Sequence, residues 1–118
     1  MFDPIDYLKI MADETRLRIM ILLYKEELCV CELVGILKMS QPNISKHLKK
    51  LRELDCVCDS KKENYVKYKI NKDNKYLIDI LKLTYNKCHT IEPYKRDLEG
   101  IIMSDEFLSK CIGRRKND

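Results

Sequence analysis

Two cysteines stand one residue apart in the stretch ELCVCEL, residues 27–33, and no other run in the chain is as chemically suggestive. Thiolates are soft ligands, so Cys29 and Cys31 together would select soft acceptors: trivalent arsenic or antimony, Cd²⁺ or Zn²⁺. The spacing sets a condition. Within a regular helix, residues i and i+2 point about 200° apart and cannot share one ion. At the irregular start of a helix, or in an extended connector, both sulfurs can turn the same way. The plain alternative is packing, because an unmodified cysteine behaves as a small apolar residue. Four more cysteines, Cys56, Cys58, Cys88 and Cys111, are scattered downstream. Cys56 and Cys58 would share one face of a strand, so a four-sulfur Zn²⁺ or Cd²⁺ site with Cys29 and Cys31 is an alternative. A persulfide or disulfide switch, for instance between Cys29 and Cys88, is another.

The elements that would position these thiols can be read from periodicity. Ile5–Met11 is a short helical stretch. ADETRLRIMILLY follows, with Asp13 placed as an N-cap and Leu17, Met20, Ile21 and Tyr24 at helical spacing. Residues 28–30 form a strand-like connector, and Glu32–Lys38 reads as a second short helix. Met39 and Ser40 make a turn. Ser40 then caps a helix over Gln41–Leu54, with Pro42 in its first turn and an apolar stripe of Ile44, Leu48, Leu51 and Leu54. The period changes to two near Cys56–Asp59 and again over residues 65–70, joined by the polar turn SKKEN. A helix over Lys72–Cys88 and weaker helices around Leu98, Ile102, Phe107 and Leu108 complete the chain.

Charge is distributed unevenly. The 118 residues carry a formal net charge of +4, yet residues 1–40 are net −2, residues 41–75 net +5 and residues 76–118 net +1. A basic middle third is the electrostatic footprint of a polyanionic partner. The start carries Asp3, Asp6 and Lys9 where a signal peptide has a basic start and an apolar run, so none is expected. No segment approaches the roughly 18 apolar residues of a membrane helix. A cytoplasmic location is therefore expected, with no membrane partner and with the thiols kept reduced. Gly35, Gly100 and Gly113 are the only glycines, too dispersed for a phosphate loop, and no nucleophile has an evident base. The sequence does not read as an enzyme.

Helix, turn, helix, then a hairpin with a basic tip is the order of a winged helix-turn-helix, mainly α with a small β-hairpin. The second helix of such a pair lies in the major groove. Ser40, Gln41, Asn43 and Ser45 at its start suit base edges, and Lys46, His47, Lys49 and Lys50 its flanks and phosphates. Lys61, Lys62 and Lys67 would let the hairpin touch the flanking backbone. The opening ADETRLRI, the box ELCVCEL and the helix SQPNISKHLKKL, in that order, resemble the ArsR/SmtB family of metal-responsive repressors over roughly residues 4–90.

The resemblance implies a homodimer paired through the first helix and the helix at 72–88, bound to double-stranded operator DNA and released by an inducer. It implies Cys29 and Cys31 as ligands and arsenite or antimonite as that inducer, with Cd²⁺ or Zn²⁺ as the alternative. One residue departs from the three-thiolate pattern: the third cysteine's position is Val34. A third ligand would come from Cys56, Cys58, Cys88 or Cys111, or be lacking. Asp79 and His89 furnish the family's Asp/His zinc and nickel site poorly. The expected domain is residues 1–90, and residues 91–118 are a helical tail to which the resemblance assigns nothing.

Overall fold

The computed structural model describes residues 3–104 and 106–109. Four of its described helices begin where short polar side chains meet unpaired backbone N–H groups. Helix α1 spans Pro4–Met11, with Asp3 accepting from the N–H groups of Ile5 and Asp6. Helix α2 spans Glu14–Lys25 behind Asp13, whose Oδ1 accepts from the Arg16 N–H at 2.9 Å. Strand β1 is Leu28–Cys29, and helix α3 is Val30–Leu37. Helix α3 starts two residues earlier than its apolar pattern suggests, because Cys29 is the N-cap and the carboxylate three residues on, Glu32, closes a capping box. Helix α4, Gln41–Glu53, follows Ser40 with Pro42 in its first turn. Helix α5, Lys75–Cys88, starts three residues later than expected, because Asn74 caps it and an Asn71–Asp73 turn precedes it.

The turn between α3 and α4 is tight. Lys38 ends α3 in the left-handed region (φ 56°) and returns its N–H to the Val34 carbonyl. Strands β2 (Val57–Lys61) and β3 (Val66–Ile70) form the hairpin. With β1 they make an antiparallel sheet of order β1-β3-β2. Leu28 pairs with Tyr68 and Cys29 with Lys67 on one side of β3, while Cys58 pairs with Lys69 and Ser60 with Lys67 on the other. This is the winged helix-turn-helix arrangement that the sequence order implied. Among the described residues no helix is long and apolar enough to cross a membrane.

Helix α2 is the centre of the core. Ile19, Met20, Ile21 and Leu22 are fully buried, and Leu28, Leu33, Ile44, Leu51, Leu77 and Leu81 close around it from β1, α3, α4 and α5.

The described residues after 90 are part of this packing. Helix α6 (Tyr94–Glu99) and a 3₁₀ turn (Gly100–Met103) lie against α2 and α3. A Cβ at Gly35 of α3 would run into the Phe107 ring, and one at Gly100 would sit 3.1 Å from Ile36 Cγ2, so both glycines permit close approach. The segment is fixed by a buried bidentate pair: Arg18 Nε and Nη2 donate to Asp97 at 2.8 and 2.9 Å, and Asp97 is 2 % exposed. The Asp97 hydrogen bonds hold the guanidinium above its ordinary pKa against the opposing effect of burial.

Removing one partner of such a pair leaves the other buried and unpaired. Asp97→Ala is expected to cost about 3 kcal/mol in urea denaturation. The double variant Arg18→Met/Asp97→Leu should recover more than half of that loss. A single-variant cost below about 1 kcal/mol would show that the pair does not anchor α6.

Candidate functional site

The cysteine box sits where the sheet becomes a helix. Cys29 is the last residue of β1 and the N-cap of α3, with extended backbone (φ −89°, ψ 170°), whereas Cys31 lies in the first turn of α3. The two are therefore not both helical, which removes the opposition of i and i+2 side chains. Cys29 is 3 % exposed and Cys31 half-buried. Burial pushes the Cys29 thiol up. The backbone N–H groups of Glu32 and Cys31 pull it the other way, and the Glu32 carboxylate adds to the rise. Cys29 thus rests as a protonated thiol at neutral pH.

Cys31 differs from the expectation that the thiols are free: it is disulfide-bonded, whereas Cys29, Cys56, Cys58 and Cys88 are free thiols. Its half-exposed place in the first turn of α3 leaves its sulfur open to such a bond.

The sheet keeps the second cysteine pair away from this box. Strand β3 stands between β1 and β2, so Cys29 and Cys58 are two strand spacings apart, roughly 10 Å. Cys56 is fully buried, and burial pushes its thiol up to about 12. Cys88 ends α5 and is also raised by burial. Among the described residues no group of three or more His, Cys, Asp or Glu is placed to hold a metal ion. Cys111 lies outside the described residues.

Glu32 is the residue that reading for thiols missed. Its carboxylate is 1 % exposed, and Oε1 accepts from the Cys29 N–H at 2.9 Å and from Lys67 Nζ at 3.0 Å. Its sequence signal was the spacing of a capping box with cysteine at the cap.

The second helix presents the polar face expected of it. Ser40, Gln41, Lys46, Lys49 and Lys50 are exposed, and Asn43 and Ser45 half-exposed. Lys61 and Lys62 are exposed at the tip of the hairpin, closed by the Lys62 N–H on the Tyr65 carbonyl at 2.7 Å. Two residues of the expected DNA-contacting set are placed elsewhere. Lys67 has only 17 % of its side chain exposed and is turned onto Glu32. Burial pulls its ammonium down, but the Glu32 hydrogen bond and charge outweigh this and leave it above the usual lysine value. His47 is 8 % exposed, on the flank of α4 nearest Asp13 and Arg16. Burial lowers its pKa, the opposing pull of Asp13 notwithstanding, and Nδ1 has no hydrogen-bond partner among the described residues.

Residues 13–58, from the cap of α2 to the start of β2, match the family described as bacterial regulatory protein, arsR family. The chain belongs to that family. It is 49 % identical over 69 residues to the arsenical resistance operon repressor of Escherichia coli K12, a match covering 58 % of this chain and 59 % of that one. It thus spans less than two thirds of that relative's length. The cadmium resistance transcriptional regulatory protein of Listeria innocua is 36 % identical over 81 residues, covering 68 % of this chain and 66 % of the relative. Among solved structures, HlyU from Vibrio cholerae superposes with a TM-score of 0.66 at 32 % identity, covering 71 % of this chain and 86 % of that one. These relatives are regulators, not enzymes, in keeping with the absence of a catalytic constellation in the sequence.

The burial differences predict an order of thiol reactivity. With native protein at neutral pH, iodoacetamide should modify half-exposed Cys58 well before Cys29, Cys56 or Cys88, and all four at similar rates in urea. Mass spectrometry of digests would read this. Early labelling of Cys29 would mean that the start of α3 opens readily.

Proposed function

We propose that this arsR-family protein is a cytoplasmic repressor that binds double-stranded operator DNA as a homodimer and is released when arsenite or antimonite engages Cys29 and Cys31. The observation that carries the reading is the position of the thiols, at the first turn of the helix that supports α4. The donor set fits a soft acceptor: one cysteine in extended backbone, one in the first helical turn, and no hard ligand required between them. Bound there, the metalloid would supply sulfur-bridging chemistry and nothing else. Cys29 would have to leave its buried place, and the N-cap of α3 would go with it.

The exposed Ser40, Gln41 and Lys46, with half-exposed Asn43 and Ser45, would read the major groove; Lys49, Lys50, Lys61 and Lys62 would meet phosphates. Apolar residues left exposed on α1 and α5 support the dimer: Ile5, Leu8, Tyr76 and Leu83, the last 73 % exposed. The two helices are already joined by the Tyr7 and Tyr76 rings, 5.6 Å apart, so they present one continuous face. An isologous pairing there would match a palindromic operator.

A second reading is favoured by one observation. Cys31 is disulfide-bonded, which suits a regulator switched by thiol oxidation. Cd²⁺ or Zn²⁺ is the further alternative, in line with the cadmium resistance relative.

Fluorescence anisotropy on a labelled operator from upstream of the protein's own gene separates these readings. Arsenite should release protein reduced with a phosphine, and Cys29→Ser or Cys31→Ser should abolish the response while leaving DNA affinity within about threefold. Release by diamide alone would instead establish the redox reading. The pH dependence identifies the acceptor. When arsenite binds, each thiol proton leaves with an arsenic-bound hydroxide as water, so affinity should be nearly flat between pH 6 and 8. Displacement of two thiol protons by Cd²⁺ should raise its log affinity by about two per pH unit over the same range. Leu83→Glu should give a folded monomer by analytical ultracentrifugation, with operator affinity reduced at least tenfold; an unchanged dimer would place the interface elsewhere.

A further inference from the structure

The buried carboxylate beside Cys29 has no part in the function just proposed, either as a thiolate or as a DNA contact. Glu32 Oε1 accepts two hydrogen bonds at once, one from the Cys29 N–H at 2.9 Å and one from Lys67 Nζ at 3.0 Å. Cys29 and Lys67 are also direct cross-strand partners, so the contact is closed through the sheet as well as through the side chains. Lys67 belongs to β3, which with β2 carries the exposed Lys61 and Lys62. Its ammonium lies 5.7 Å from the centre of the Tyr65 ring, at the base of the hairpin turn. One carboxylate therefore joins the N-cap of α3 to the strand that holds the wing.

We propose that Glu32 and Lys67 are positioning residues that pass the state of the cysteine box to the wing, so that displacement of Cys29 removes a partner of Glu32 and frees Lys67 and β3 to shift. This rests on the reading of Cys29 and Cys31 as the sensor. Stability alone does not account for the pair, because buried ion pairs can often be replaced by apolar residues without loss of stability. Its geometry does make the two segments move together: a carboxylate at 1 % exposure cannot give up one donor without drawing on the other.

The test compares Lys67→Met and Glu32→Gln with the reduced wild type. Methionine keeps the apolar stem, and glutamine keeps an acceptor for the Cys29 N–H. Arsenite binding is followed separately by the ultraviolet absorption of its sulfur bonds. The expected result is unchanged arsenite binding and operator affinity within about threefold, with the ratio of operator Kd with and without arsenite reduced at least tenfold. Lys67→Arg should restore most of that ratio. Two results would overturn the proposal. A lowered melting temperature with the ratio unchanged would make the pair structural only. A weaker complex whose salt slope falls by about one, the ratio being unchanged, would make Lys67 a phosphate contact.

If arsenite fails to release even the wild type, the sensor reading fails and the link is judged without an inducer. Hydrogen exchange at the Cys29 amide should then slow on operator binding in the wild type and not in Lys67→Met. Equal slowing in both would sink the link itself.

Discussion

Helix α2 has to be covered on every side, and the rest of the molecule is arranged by that requirement. Arg18, Ile19, Met20, Ile21, Leu22 and Leu23 are buried in succession, where a surface helix would bury only one stripe. Five elements supply most of the cover: α1, α4, α5, β3 and α6. The polar member of the run, Arg18, dictates the identity of one of them. A guanidinium inside a core needs a carboxylate, and Asp97 provides it from a helix of only six residues that has little stability of its own. Docking of α6 in turn brings the 3₁₀ turn and Phe107 onto the outer face of α3.

Helix α3 is the element on which these constraints converge. Eight residues form too few turns to hold a helix in water, so its position is set by neighbours. Leu33 and Leu37 enter the core, Gly35 and Ile36 meet the segment after α5, and Glu32 is tied to Lys67. A helix located entirely by contacts on several faces can be moved by altering one of them. On the proposed function that contact is Cys29, at the junction of strand and helix.

Much of this was legible in the sequence, and the parts that were not share a cause. The helices at 4–11, 14–25 and 41–53 were readable because cap residues and apolar periodicity agree there. The start of α3 was placed two residues late because a cysteine at the cap and a buried glutamate at the third position look, in sequence, like a surface-charged box. His47 and Lys67 were assigned outward by angle and alternation. Instead His47 is buried without a hydrogen-bond partner for its Nδ1 among the described residues, and Lys67 turns toward Glu32, supplied by a distant segment. The Arg18–Asp97 pair spans 79 positions and left no local trace. Periodicity reports which face of an element is apolar; it does not report that a charged residue has been buried against another.

The two buried pairs bear on how sharply such a protein can switch. An apolar contact at the start of α3 would weaken gradually as the helix shifted, since dispersion falls off smoothly over fractions of an ångström. A buried carboxylate holding two donors behaves differently. Losing one partner of a buried pair costs about 3–5 kcal/mol, so a shift of the helix that breaks it would pass through depleted halfway positions. Allosteric coupling of about 1–3 kcal/mol is enough to choose between the arrangements on either side when they lie close in free energy. Glu32–Lys67 holds α3 to the wing on one side, and Arg18–Asp97 fixes the segment that covers α3 on the other. On the proposed function, they favour a repressor with two states over one that loosens by degrees.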